Sequence, residues 1–193
     1  MSLSLVTAPG AEPVTLQEAK DHLRVDGADD DALISALITA AREHIDGRDG
    51  WLGRAICTQT WDCHFDAFPS GDSIALPIAP IQSVTSVKYI DTDGVQQTFS
   101  SDNYALGADL DWSPRVILGW GKSWPSIRAV PDAVTVRVMA GYTDVPKPIC
   151  QAILLLVGHL YENREASSAT AMHEVPFSVS ALLAPYRRFL RGS

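Results

Sequence analysis

The chain has 193 residues, 46% of them hydrophobic and 20% charged, a globular balance that excludes wholesale disorder. Its formal charge of −8, with an isoelectric point near 4.9, excludes a protein that coats nucleic acid electrostatically. The longest apolar run, residues 149–160, is interrupted by Gln151, Gly158 and His159 and is too short to span a bilayer. Three cysteines, Cys57, Cys63 and Cys150, cannot all pair and read as reduced thiols. The opening Met1-Ser2-Leu3-Ser4-Leu5 lacks a basic region and a signal-type apolar stretch, so the expectation is a cytoplasmic product.

The first 55 residues read as helical. Thr15-Leu16-Gln17-Glu18 is a capping box, in which the Thr hydroxyl accepts from the N3 amide while Glu18 reaches back to the cap amide. The first helix is expected to run to about Val25 and end near Gly27. Asp29-Asp30-Asp31 then opens a second helix, with carboxylates at the positive end of its dipole. Leu33, Ile34, Leu37, Ile38, Ala41 and Ile45 recur at three- and four-residue spacing as one apolar stripe, and Asp46-Gly47-Arg48-Asp49-Gly50 ends it.

From Ile56 the period becomes two. Residues 58–65 read as a strand with Trp61, Cys63 and Phe65 on one face, followed by short strands at 73–76, 84–90, 95–99, 104–106, 116–118 and 134–139. Asp91-Thr92-Asp93-Gly94 joins two of them as a hairpin loop, and prolines punctuate the intervals. Helix returns after Pro146-Lys147-Pro148, with Ile149, Ile153, Leu156, Val157 and Leu160 on a broad apolar face. Residues 165–174 are small and polar and read as a mobile loop, and a short final helix over 179–184 is kinked or ended by Pro185. The expected fold is α+β: a helical scaffold of residues 1–55 and 146–193 carrying a small antiparallel β-domain inserted at 56–145.

Chemical motifs are few. Gly121-Lys122-Ser123 resembles a phosphate loop, but position 116 is Val116 instead of glycine and Trp124-Pro125 disfavours the helix that such a loop needs. Asp91 and Asp93 resemble the start of a calcium loop, yet positions five and twelve are Val95 and Asp102. Asp29–Asp31 are accounted for as caps. His159 and Glu162 share a helical face without a second such pair, and Cys57 and Cys63 lack zinc spacing. No catalytic, cofactor or metal residues are assigned. Trp112, Trp120 and Trp124 fall in a Gly/Pro/Ser-rich stretch, where core plugs, a sugar-stacking platform and subunit-interface anchors are all open readings. Charge is uneven: residues 1–50 carry ten acidic and four basic side chains, whereas Arg187, Arg188 and Arg191 crowd the other end, a polarity suited to head-to-tail contact.

The combination resembles a known family. Residues 13–26, followed by Asp29-Asp30-Asp31-Ala32-Leu33-Ile34, are similar to the opening of tailed-phage head–tail connector (adaptor, head-completion) proteins. So are residues 149–165, and Pro176-Phe177 with 181–187 is similar to the closing element of that family. Thr58-Gln59-Thr60-Trp61 and residues 119–125 resemble the β-insert of one branch. The resemblance implies a non-enzymatic subunit without cofactors, from a phage, a prophage or a gene transfer agent. It implies a ring, commonly of twelve, that sits in the particle neck under the portal, extends the DNA channel and meets a tail-side connector or stopper protein. Its partners would be the portal protein, its own copies and double-stranded DNA passing without specific binding, with no membrane. On that reading Phe177, Leu182, Leu183, Tyr186, Arg187, Arg188, Phe189 and Arg191 are portal-docking candidates, and Trp112, Trp120 and Trp124 are subunit-interface candidates. The alternatives are a carbohydrate- or protein-binding β-module on a helical stalk and a hydrolase holding a metal at Asp29–Asp31 or Asp91 and Asp93.

Overall fold

A computed structural model of the chain describes residues 1–163 and 176–188. The fold is α+β and divides into two compact units, Met1–Gly10 with Thr58–Thr143 and Ala11–Cys57 with Asp144–Ser193. The described elements are β1 (Ser2–Thr7), α1 (Leu16–Leu23), α2 (Asp31–Ile45), β2 (Gln59–Phe65), β3 (Ser73–Ala75), β4 (Ile81–Ile90), β5 (Gln96–Phe99), β6 (Tyr104–Leu106), β7 (Arg115–Leu118), β8 (Val134–Ala140), α3 (Lys147–Glu162) and α4 (Phe177–Leu183).

In the β unit, five strands form an antiparallel sheet in the order β1-β2-β8-β4-β5, and three form a second in the order β3-β7-β6. Strand β8 alternates cleanly: Val134, Val136, Val138 and Ala140 are buried, while Thr135, Arg137 and Met139 take the other face. Such alternation is the mark of an antiparallel sheet with one face packed and one facing water. The Asp91 loop is the expected hairpin between β4 and β5. The Asp91 carboxylate accepts from the amides of Asp93 and Val95, and Gly94 takes a positive φ of 87°.

Residues 2–7 are a strand of this unit, not part of the helical one. Leu3 and Leu5 alternate with serines, which is a period of two, and pair opposite Cys63 and Trp61. Six residues without a cap or a helical stripe find their backbone partners at the edge of β2 instead.

In the helical unit, α1 begins with the full capping box, and Thr15's amide donates to Glu18 at 2.8 Å. The same contact, backbone first and hydroxyl second, holds the Glu18 carboxyl below its ordinary range. The helix ends at Leu23, earlier than expected, because Arg24 itself adopts the left-handed conformation (φ 57°) and its amide closes on the carbonyls of Asp21 and Lys20. A non-glycine residue pays about 1 kcal/mol for that geometry.

Helix α2 begins after Asp30, but Asp30 makes no side-chain cap; it accepts from the Tyr161 hydroxyl, and Asp31 pairs with Lys20 at 2.6 Å. Carboxylates near a positive helix end that also meet a neighbouring helix link α2 to α3 and α1. The buried stripe is Ile34, Ile38, Ala41 and Ile45, each at most 2% exposed, whereas Leu33 is 36% exposed and Leu37 half-buried. The apolar stripe is wider than the face that α1 and α3 cover, and the Ile side is the one buried. Pro148 lies in the first turn of α3, and Ile149, Ala152, Ile153, Leu156 and Val157 are buried, with Leu160 half-buried. The loop expected over residues 165–174 lies outside the described residues.

Candidate functional site

The last described segment turns back onto its own unit. In α4, Val179 and Leu183 are fully buried, while Phe177 on the opposite face is 88% exposed and Leu182 is half-buried. A single turn of 3-10 helix, Ala184–Tyr186, accommodates Pro185. Beyond it the Arg188 amide donates to the Leu52 carbonyl at 2.8 Å, and the Arg187 guanidinium lies 4.3 Å over the Trp51 indole. Gly53, at φ 66°, makes this approach possible: a Cβ there would lie 2.4 Å from the Arg188 carbonyl oxygen.

This placement corrects the docking set. Leu183 is a core residue of the helical unit and is unavailable as an anchor, because α4's apolar spacing fits it onto α3. Phe177, Leu182, Tyr186, Arg187 and Arg188 keep some exposure, and Phe189 and Arg191 lie outside the described residues. Beside α4, His22, Leu155, His159, Glu162, Pro176 and Val179 help line a cleft of about 280 Å³. His159 and Glu162 therefore do share one wall. Among the described residues, no three His, Cys, Asp or Glu side chains are arranged to hold a metal ion.

The tryptophans separate into two kinds. Trp124 stacks on Phe68 with centroids 4.8 Å apart and 6° between planes, and its indole N–H donates to the Gly71 carbonyl. Phe99 adjoins Trp124, Phe68 and Tyr104, so Trp124 belongs to an aromatic cluster within the β unit. Trp112 and Trp120 do not plug a core: they are 48% and 101% exposed. Trp120 occupies the second position of a tight turn in which the Lys122 amide donates to the Gly119 carbonyl and Gly121 takes φ 71°. Gly119 is itself held by its amide's bond to the Asn103 carbonyl. A rigid turn thus holds a bare indole in solvent. Nearby, on the outer face of β7, Ile117 is 38% exposed, opposite Ala105 of β6 and Ser73 of β3.

The outer face of the five-stranded sheet is polar. Asp62 and Arg137 form a two-pronged pair at 2.7 Å, and the His64 ring lies between the hydroxyls of Ser4 at 3.0 Å and Thr135 at 3.3 Å. The Arg137 hydrogen bonds hold the Asp62 carboxyl below its ordinary value, against the opposing effect of burial. Ser4 and His64 lack the third group of a triad, because Thr135 stands where an orienting carboxylate would be. All three cysteines are free, and burial, aided by Asp46, pushes the Cys57 thiol up to about 11, an unreactive state. Missing from the sequence reading was the apolar edge at β1, where Met1, Leu5 and Val6 are exposed. The alternation of residues 2–6 was its signal.

These features match a known group. The family model described as phage gp6-like head-tail connector protein matches residues 13–105. Among curated proteins none matches the sequence. Three similar solved chains come from gene transfer agent (GTA) particles, each matched over 99% of this chain and 97% of the other. One is from the neck of an empty GTA particle computed with C6 symmetry, at 28% identity and a TM-score of 0.76. Another is from the virion of a native gene transfer agent particle, at 30% identity and 0.74. A third is from the neck of a native GTA particle computed with C12 symmetry, at 27% identity and 0.71. The fold is that of a neck protein of a phage-like particle. The chain belongs to the phage gp6-like head–tail connector family.

Proposed function

We propose that this connector is a structural subunit of the particle neck that forms a closed ring, of twelve copies, under the portal of a DNA-filled head. The ring extends the DNA channel and offers its far side to a tail-side connector or stopper. The observation that carries this reading is the end-to-end likeness to chains from particle necks, one of them computed with C12 symmetry. The charge agrees with passage instead of binding: twelve copies at −8 carry a formal −96, and an acidic lumen lets DNA slide without condensing on it. No catalytic or cofactor role is assigned.

Portal docking falls to the exposed side of the terminal segment, with Phe177 as the apolar anchor and Leu182, Tyr186, Arg187 and Arg188 beside it. Phe189 and Arg191 complete the proposed set. The arginines pair with portal carboxylates more favourably than with phosphate, since three cations on an acidic chain hold DNA weakly. Like-charged copies repel, so the free chain is monomeric or weakly associated and closes its ring on the portal.

Cells that make the particle without this chain are expected to accumulate filled heads without tails, seen by electron microscopy. Tailed, infectious particles from such cells would sink the proposal. The exposure of Trp112 and Trp120 favours one second reading, a sugar-stacking module, which requires saturable glycan binding by the purified chain.

A further inference from the structure

Exposed large apolar side chains cluster at two places among the described residues, both in the β unit. One is the end of β7, with Ile117 at 38% and Trp120 in the turn that follows at 101% exposure; the other is the β1 edge, where Met1, Leu5 and Val6 are 57%, 48% and 43% exposed. The others are apart from one another: Leu33 on α2, Val95 in the β4–β5 loop, Trp112 in the loop before β7, Met139 on β8 and Phe177 on α4.

We propose that the Trp120 turn of one copy seats on the β1 edge of the next copy in the ring. The inference rests on the ring reading above and names its contact. A cyclic assembly joins two different surfaces of each copy, head to tail, so the chain has to carry two patches instead of one self-complementary one. The two patches also meet the electrostatic requirement. Copies at −8 repel, so contact is favourable only between surfaces without net carboxylate charge. Residues 1–11 contain no charged side chain, and neither do residues 116–121. At the Trp120 end the charges are of both signs: Lys122 closes the turn, the Asp72 carbonyl accepts from the Leu118 amide, and Asp102 precedes Asn103, whose carbonyl takes the Gly119 amide, so the apolar centre has a polar rim.

The chemistry of the two patches is complementary. Strand β1 is an outer strand of its sheet, pairs only with β2, and has no lysine or proline to guard it. Its free side offers backbone carbonyls beside Leu5 and Val6. An indole supplies a large apolar face and one N–H donor, which suits such an edge. The Gly119 and Gly121 turn holds Trp120 in place before contact, so little side-chain freedom is lost on docking.

The test uses full-length chains in particles purified from producing cells. Leu5→Cys combined with Trp120→Cys, treated with a short bismaleimide, is expected to give a ladder of covalent multimers longer than a dimer. The wild-type chain, with Cys57 and Cys63 buried and Cys150 half-buried, is the control, and a Cys150→Ser background removes that remaining thiol from the ladder. Trp120→Ala is expected to leave the melting temperature unchanged and reduce neck incorporation about tenfold or more, the effect of removing one interface anchor. Covalent dimers from Trp120→Cys alone would mean a symmetric contact and overturn the proposal. Normal rings by electron microscopy, with no ladder and undiminished Trp120→Ala incorporation, would overturn it and leave the ring reading intact. Glycan binding lost in Trp120→Ala, with incorporation unchanged, would assign the patch to a sugar and overturn it as well. Necks without any ring would remove both readings together.

Discussion

Helix α4 and the Trp120 turn use apolar residues in opposite ways. In α4, Val179 and Leu183 complete the helical unit and only Phe177 is left bare; in the turn, Trp120 contributes nothing to its own unit's interior. The α4 segment has helical spacing and a neighbouring helix to cover, so most of its apolar surface is consumed within the chain. The turn has glycine on both sides and projects beyond the sheet, so its indole has nothing of its own to bury against. An apolar residue near the end of a chain is thus no guide to docking, and one in a loop is no guide to packing. The neighbouring elements decide.

Removing a whole unit probes this contrast most severely. A chain beginning at residue 11, with a short linker in place of residues 58–143, is expected to keep the helical signal of α1 to α4 by circular dichroism, because each stripe finds its partner within that unit. A remnant without helix would show that the two units are one cooperative body.

Leu183→Ala is the sharper test of α4. Its side chain is fully buried, so the expected loss is about 2–5 kcal/mol by chemical denaturation. A loss below about 1 kcal/mol would return the helix to a free docking role. The same logic separates neighbours on α2: Ile34→Ala is expected to cost about 2–5 kcal/mol and Leu33→Ala less than about 1. Equal losses would mean that both sides of the stripe are covered, and a reversed order that the Leu33 side is the buried one.

In the β unit, Asp62→Asn is expected to cost about 1 kcal/mol near neutral pH, discounted because Arg137 remains 40% exposed. Folding lowers the Asp62 pKa, so below its ordinary value of 3.8 the unfolded chain binds the proton first. The contribution is therefore present above that value and is lost as pH falls through the lower folded one. Denaturation midpoints of wild type and Asp62→Asn should converge in that acid window; a constant gap would remove the ion pair as the cause. The smallest effect belongs to Trp120→Ala, expected within about 0.5 kcal/mol of wild type, since the indole is fully exposed. A larger loss would make the turn part of the core.

Local chemistry alone determined much of this protein. The Thr15 capping box, the Asp91 turn, Pro148 in the first turn of α3 and the period-two strands each depend on neighbours within a few residues, and those neighbours are legible in order. The contrast between β strands and helices, and the resemblance of residues 13–26 and 149–165 to connector proteins, are readable for the same reason. What only tertiary structure decided is which competing partner each group takes. Ile34 outranks Leu33 because the neighbouring helices cover that side; Asp30 accepts from Tyr161, 131 residues away, instead of capping α2; residues 2–7 leave the helical half for β2. Leu183 is buried while Trp120 is bare for the same reason. Burial is a property of the facing surface, and that surface is built from residues far away in the sequence.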